Sequence, residues 1–172
     1  MNIPNILTLI RFGLIGVFIY IFYNPYIQNN IRWAILVFVL AGLTDVLDGY
    51  IARKYNMITK WGKLMDPLAD KLMLITVLIC LYTKNFVPGA VIVIVLVKEL
   101  LMILGAAFLY KNKNVVVQSN FFGKAASAAF YIAIIALVFD FPYADMLLMI
   151  AIFSTLFALF QYALLNLKHK NN

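Results

Sequence analysis

The chain has 172 residues, of which 65% are hydrophobic and 12% charged, with a formal net charge of +7 and a mean hydropathy of +0.96. A water-soluble domain carries about a quarter charged residues, so this composition excludes an ordinary soluble enzyme and makes lipid the solvent for most of the surface. The aromatic share, 15%, suits a bilayer protein with rings at its interfaces.

A hydrocarbon core about 30 Å thick needs roughly 20 apolar residues per helix. Six stretches meet that length, at about 4–23, 31–54, 61–83, 86–110, 121–140 and 144–167. The fold predicted is therefore all-α: an integral membrane bundle of six transmembrane helices forming one domain over 1–172. The first stretch, Ile3 to Tyr23, reads as a span and not as a cleaved signal peptide, because Arg11 lies in its middle and no small-x-small site follows it. Asn24-Pro25 and Gln28-Asn29-Asn30 break the first pair, and Lys84-Asn85 with Pro88-Gly89 precedes the fourth. Lys111-Asn112-Lys113-Asn114 closes the fourth, and Asp140, Pro142 and Asp145 separate the last two. No run alternates with period two, which argues against β spans. There is no linker, low-complexity stretch or internal repeat. The single cysteine, Cys80, sits in an apolar run and reads as a small buried hydrophobe. The single histidine, His169, lies in the polar tail, so histidine-based chemistry is not expected.

Positive charge orients the bundle. With the N-terminus inside, the inner side receives Arg11, Arg53, Lys54, Lys60, Lys63, Lys71, Lys111, Lys113, Lys124, Lys168 and Lys170, and the outer side only Arg32 and Lys84. That bias predicts cytoplasmic termini in a multi-pass protein of a cell membrane, most simply a bacterial plasma membrane. The net charge follows from the same rule or from contact with anionic lipid, and no nucleic-acid partner is expected.

A charge inside a span costs at least a few kcal/mol, so each is a functional candidate. Asp45 and Asp48 are three residues apart, and Asp66 and Asp70 four apart, so each pair shares one helical face. A short loop makes their two helices antiparallel neighbours, and the four carboxylates can converge near the cytoplasmic ends. Left alone they would repel. Divalent cations resolve the conflict, and an oxygen-only donor set favours Mg²⁺ or Mn²⁺ over zinc. Gly49, Ala52 and Gly62 accompany the acids; small residues there either admit a ligand or simply pack helices. Arg53 and Lys54 add positive charge suited to a phosphate.

Read as one string, Asp45-x2-Asp48-Gly49-x2-Ala52-Arg53-x8-Gly62-x3-Asp66-x3-Asp70 resembles the full motif of the CDP-alcohol phosphotransferase family, with all eight fixed positions met over 26 residues. The six-helix prediction agrees with that family. The resemblance implies that Asp45, Asp48, Asp66 and Asp70 hold two divalent metals, and that Asp70 is also the base for the acceptor hydroxyl. It implies that Gly49, Ala52 and Gly62 line the CDP site, with Arg53 and Thr59 on the donor's phosphates. The reaction implied is attack by an alcohol on the phosphorus next to diacylglycerol in CDP-diacylglycerol, releasing CMP. No Ser, Cys or His of the motif offers a covalent nucleophile, which suits direct displacement. Family resemblance also suggests a homodimer.

The opening Ile3-Pro4-Asn5-Ile6-Leu7-Thr8-Leu9-Ile10-Arg11 and the run Asp66-Pro67-Leu68-Ala69-Asp70-Lys71 resemble the branch whose acceptor is glycerol 3-phosphate. The opening is shared with the branch that uses phosphatidylglycerol. The resemblance implies that Asn5 and Thr8 lie near the nucleotide and Arg11 near a phosphate; a helix cap is the alternative for Asn5. Lys124 is the candidate for an acceptor phosphate, or else an inner-side lysine without a ligand. Two departures stand out: Lys98-Glu99 replaces an Arg-Glu pair and reads as an internal ion pair, and Ala125-Ala126-Ser127-Ala128-Ala129 supplies no Gln. A cation transporter and a non-enzymatic metal-stabilised scaffold are the readings from other classes. Neither predicts metal-dependent CMP release.

Overall fold

A computed structural model describes the backbone of residues 3–54, 60–113 and 121–170, and within these the side chains other than those of 3–5, 48, 52–53, 60–64, 67, 102–113, 121–124 and 162–170. The described residues form six α-helices: α1 (Ile3–Tyr23), α2 (Asn30–Lys54), α3 (Lys60–Thr83), α4 (Gly89–Lys113), α5 (Phe121–Val138) and α6 (Ala144–Lys170). The chain divides into two compact units, residues 1–87 and 88–172.

In the first unit α1 lies along α2 and also packs on α3. Its core is built from helical stripes: Phe18 and Phe22 from α1, Ala34, Ile35, Phe38 and Ala41 from α2, and Ala69, Met73, Val77 and Leu81 from α3. The α3 stripe repeats every four residues, which keeps one face turned to its neighbours. Cys80 is buried beside this stripe, in keeping with a packing role. Two sets of side-chain contacts fix the direction of α3. Thr8 meets Asp66 near the start of both helices, and the Tyr23 phenol meets Thr83 Oγ1 at 2.9 Å near their ends. Thus α1 and α3 run parallel, with α2 antiparallel to both.

The turn into α2 is tied by one side chain. Asn30 Nδ2 donates to the carbonyls of Phe22 at 2.7 Å and Asn24 at 3.2 Å, satisfying acceptors that the end of α1 leaves without an intrahelical donor. Asn29 takes the left-handed conformation there, at φ 54°. The same device closes α3, where Asn85 has φ 62° and the Phe86 amide reaches back to the Leu81 carbonyl at 3.0 Å.

In the second unit α6 packs against both α4 and α5. Leu148, Ala151, Thr155 and Ala158 form its buried stripe, facing small and apolar residues such as Ala126, Phe130, Ala133 and Ile134 of α5. On α4 the buried face runs Val91, Val95 and then Lys98 and Glu99, whose side chains pair at 3.0 Å. The internal ion pair expected from the sequence is present. Asp140, at φ 54°, ends the α5 turn, and the Phe141 amide bonds the Ala136 carbonyl at 2.9 Å.

Outward-facing positions are strongly apolar. Leu40, Leu43, Val46 and Leu47 on α2, Val93, Leu100 and Leu101 on α4, and Met149, Phe153 and Phe160 on α6 are all exposed. Water would penalise such a surface heavily, whereas lipid would not. Among the described residues, Ile6–Tyr23, Asn30–Ile51 and Ala144–Gln161 are long and apolar enough to cross a membrane. On α3 the early acids Asp66 and Asp70 with Lys71 dilute the apolar character that its second half retains. The described residues are all-helical, with an apolar exterior suited to a membrane.

Candidate active site

The first unit brings three helices together at the end away from the Asn24–Asn29 turn. From α1, Arg11 sends Nη1 to Asp45 Oδ1 on α2 at 2.7 Å, and the same nitrogen donates to the Asp66 carbonyl on α3 at 3.4 Å. One turn earlier, the Thr8 hydroxyl donates to Asp66 Oδ1. Thr8 and Arg11 are three apart and share one face of α1, as Asp45 and Asp48 do on α2.

Burial makes these contacts consequential. Arg11 is 1% exposed, while the Asp45 side chain is 38% exposed. The guanidinium is therefore sealed inside the unit, and the carboxylate it pairs with still opens outward. Both lie within apolar segments suited to a membrane, where an unpaired cation would cost several kcal/mol. Asp66 and Asp70 on α3 both act electrostatically on Asp45, so the three described acids of the motif share one neighbourhood. Gly49, one turn beyond Asp45, is partly exposed on the same helix.

Several expected site residues lie outside the described residues. Thr59 is among them entirely, and so are the side chains of Asn5, Asp48, Ala52, Arg53 and Lys124, together with the surroundings of Gly62. Among the described residues, no three Asp, Glu, His or Cys side chains stand close enough to share one metal ion. The donor chemistry nevertheless fits a hard divalent cation. Asp45, Asp66 and Asp70 supply only oxygen, from two packed helices, and Arg11 is the cation in direct contact with Asp45.

Sequence reasoning found the acids through their spacing and placed Thr8 and Arg11 of α1 near the site, but not their contacts with Asp66 and Asp45. Arg11 was expected near a phosphate and Thr8 near the nucleotide; both are turned to acids of the motif.

A polar, acid-rich cluster thus lies at one end of the first unit, within helices apolar enough to cross a membrane. Comparison with known proteins resolves the class. The family model described as CDP-alcohol phosphatidyltransferase matches residues 1–159, and the chain belongs to that family. It is similar to the CDP-diacylglycerol–glycerol-3-phosphate 3-phosphatidyltransferase of Bacillus subtilis, with 32% identity over 94% of this chain and 93% of the relative. The protein of the same name from Rickettsia felis is 45% identical, over 59% of this chain and 55% of its own length. A cardiolipin synthase (CMP-forming) of Streptomyces coelicolor is 33% identical over 74% of this chain and 60% of the relative.

Proposed function

We propose that this protein transfers a phosphatidyl group from CDP-diacylglycerol to glycerol 3-phosphate, giving phosphatidylglycerophosphate and CMP. The observation that carries the reading is the complete eight-position motif, with Asp45, Asp66 and Asp70 gathered on packed helices. Likeness to the Bacillus subtilis protein over nearly the whole of both chains supports the acceptor.

In this reading Asp45, Asp48, Asp66 and Asp70 hold two divalent cations, Mg²⁺ or Mn²⁺. When bound, these ions neutralise charge on the pyrophosphate and the leaving group. The remaining chemistry belongs to the chain. Gly49, Ala52 and Gly62 admit the CDP group against α2 and α3, Asn5 and Thr8 border the nucleotide, and Arg53 and Thr59 hold the donor's phosphates. Asp70 takes the proton of the acceptor hydroxyl. The acceptor oxygen then bonds to the phosphorus bearing diacylglycerol as the bond to the CMP oxygen breaks. Lys124 supplies positive charge toward the acceptor phosphate, whereas Arg11 is engaged with Asp45.

The protein is proposed to cross a bacterial plasma membrane six times as one catalytic domain, with both termini and the site on the cytoplasmic side. The inner-side surplus of Lys and Arg supports that orientation, and the family match running across both units supports one domain. It acts as a homodimer in this reading.

The test is CMP release by the detergent-purified protein with CDP-diacylglycerol and Mg²⁺. Glycerol 3-phosphate, phosphatidylglycerol, inositol 1-phosphate, inositol and serine are supplied as separate acceptors. Turnover with glycerol 3-phosphate alone is expected. Turnover with phosphatidylglycerol alone would reassign the chain to cardiolipin synthesis, the second reading, which the Streptomyces coelicolor relative supports. Within the same assay, Lys124→Ala is expected to raise the KM for glycerol 3-phosphate about tenfold, the scale of one charge-assisted hydrogen bond. The donor KM should stay put. An unmoved acceptor KM would leave Lys124 a purely topological charge.

A further inference from the structure

The first helix engages one oxygen of each of two motif carboxylates: Arg11 holds Asp45 Oδ1 at 2.7 Å, and Thr8 holds Asp66 Oδ1. Arg11 is sealed from solvent at 1% exposure, and its Nη1 also reaches the Asp66 carbonyl, so one guanidinium joins α1, α2 and α3. A cation fixed in this place does two things at once. It neutralises part of the acidic cluster, and it occupies a lone-pair direction of a carboxylate that the proposed metal would share.

We propose that Arg11 is a built-in competitor for the site's divalent cation: it supports Asp45 while the metal is away and lowers the affinity when the metal arrives. This rests on the metal reading given under the proposed function. Two physical arguments carry it. A guanidinium beside a divalent ion repels it through a partly desolvated medium, where charge interactions are strong. Asp45 is 38% exposed, so an ion can approach from the open side while Arg11 holds the closed side. Arg11 is thus a positioning residue that acts through Asp45, and its signature is in metal affinity.

The experiment titrates the full-length chain, stripped with chelator and then freed of it, with Mn²⁺ alone. Free Mn²⁺ is read by electron paramagnetic resonance, with no substrate and no turnover. R11Q removes the charge and keeps a donor for Asp45; R11K keeps the charge and loses the planar fork. The expected result is at least tenfold tighter Mn²⁺ binding in R11Q, with R11K within about threefold of the parent. The increase in melting temperature caused by saturating Mn²⁺ should also be larger in R11Q than in the parent. Equal or weaker binding in R11Q, or equal gains in R11Q and R11K, would overturn the competition. If R11Q unfolds once stripped of metal, it is purified and compared in Mn²⁺. Folding there supports the proposal, and failure to fold in Mn²⁺ overturns it. A parent that binds no Mn²⁺ would overturn the metal assignment itself, an outcome distinct from a parent that binds and a variant that does not differ.

Discussion

Asp70→Asn is expected to abolish turnover while leaving donor binding within a few-fold of the parent. The amide keeps the size of the carboxylate and one oxygen for a cation, but it cannot accept the acceptor's proton. Loss of a general base costs typically 10² to 10⁴ in rate, and the loss here should sit at or above the top of that range because Asp70 is also a proposed metal ligand. Asp66→Asn makes the informative contrast. Asp66 receives the Thr8 hydroxyl and lies one turn before Asp70 on α3. Its substitution should weaken cation and donor binding together, lowering kcat/KM through KM as well as kcat. Rates of CMP release and equilibrium binding of a cytidine nucleotide measure both. If the two variants kept activity equally, the division of labour between α3's acids would fail, and the two-metal site with it.

The second large effect is on stability. Asp45→Ala leaves Arg11, 1% exposed, without the carboxylate that sits 2.7 Å away. Breaking a buried pair from one side costs about 3–5 kcal/mol, and the lower end applies because Arg11 keeps its contact with the Asp66 carbonyl and water or headgroups can reach the partly exposed Asp45 position. The loss is expected as a lowered melting temperature in detergent with chelator present. Pairing it with Arg11→Met should recover more than half of the loss, since an apolar side chain of similar length no longer needs a counter-ion. A single-variant loss below about 1 kcal/mol would mean that the pair is solvated like a surface ion pair.

Much of this architecture was legible in the sequence, and the exceptions have physical reasons. Hydropathy carried the fourth predicted span back to residue 86 because Phe86 and Val87 are apolar. In the fold they belong to the turn: Asn85 is left-handed, the Phe86 amide caps α3, and α4 begins at Gly89, after Pro88. The fifth span likewise ran to residue 140, but Asp140 turns the chain and α5 stops at Val138. In both cases a backbone conformation set the boundary, and an apolarity count does not register it. The site divides the same way. Acids three and four residues apart declare a shared face, because helical geometry is local. Whether a cation in a span faces a phosphate or a carboxylate depends on which helix packs beside it. Arg11 carried the same sequence signal for both, and only the meeting of α1 with α2 and α3 distinguishes them.

The Arg11–Asp45 pair also bears on how the chain enters the bilayer. Taken singly, α1 carries an arginine and α2 an aspartate within otherwise apolar segments, each costing up to about 2.5–3.5 kcal/mol, the figure for the centre of an inserting helix. Between them lie only residues 24–29, tied across by Asn30. The two helices can therefore partition as a preformed hairpin, with opposite charges already matched. The pairing predicts that α1 inserts poorly alone and well once α2 follows it, a difference that a membrane-insertion assay of α1 with and without α2 would read.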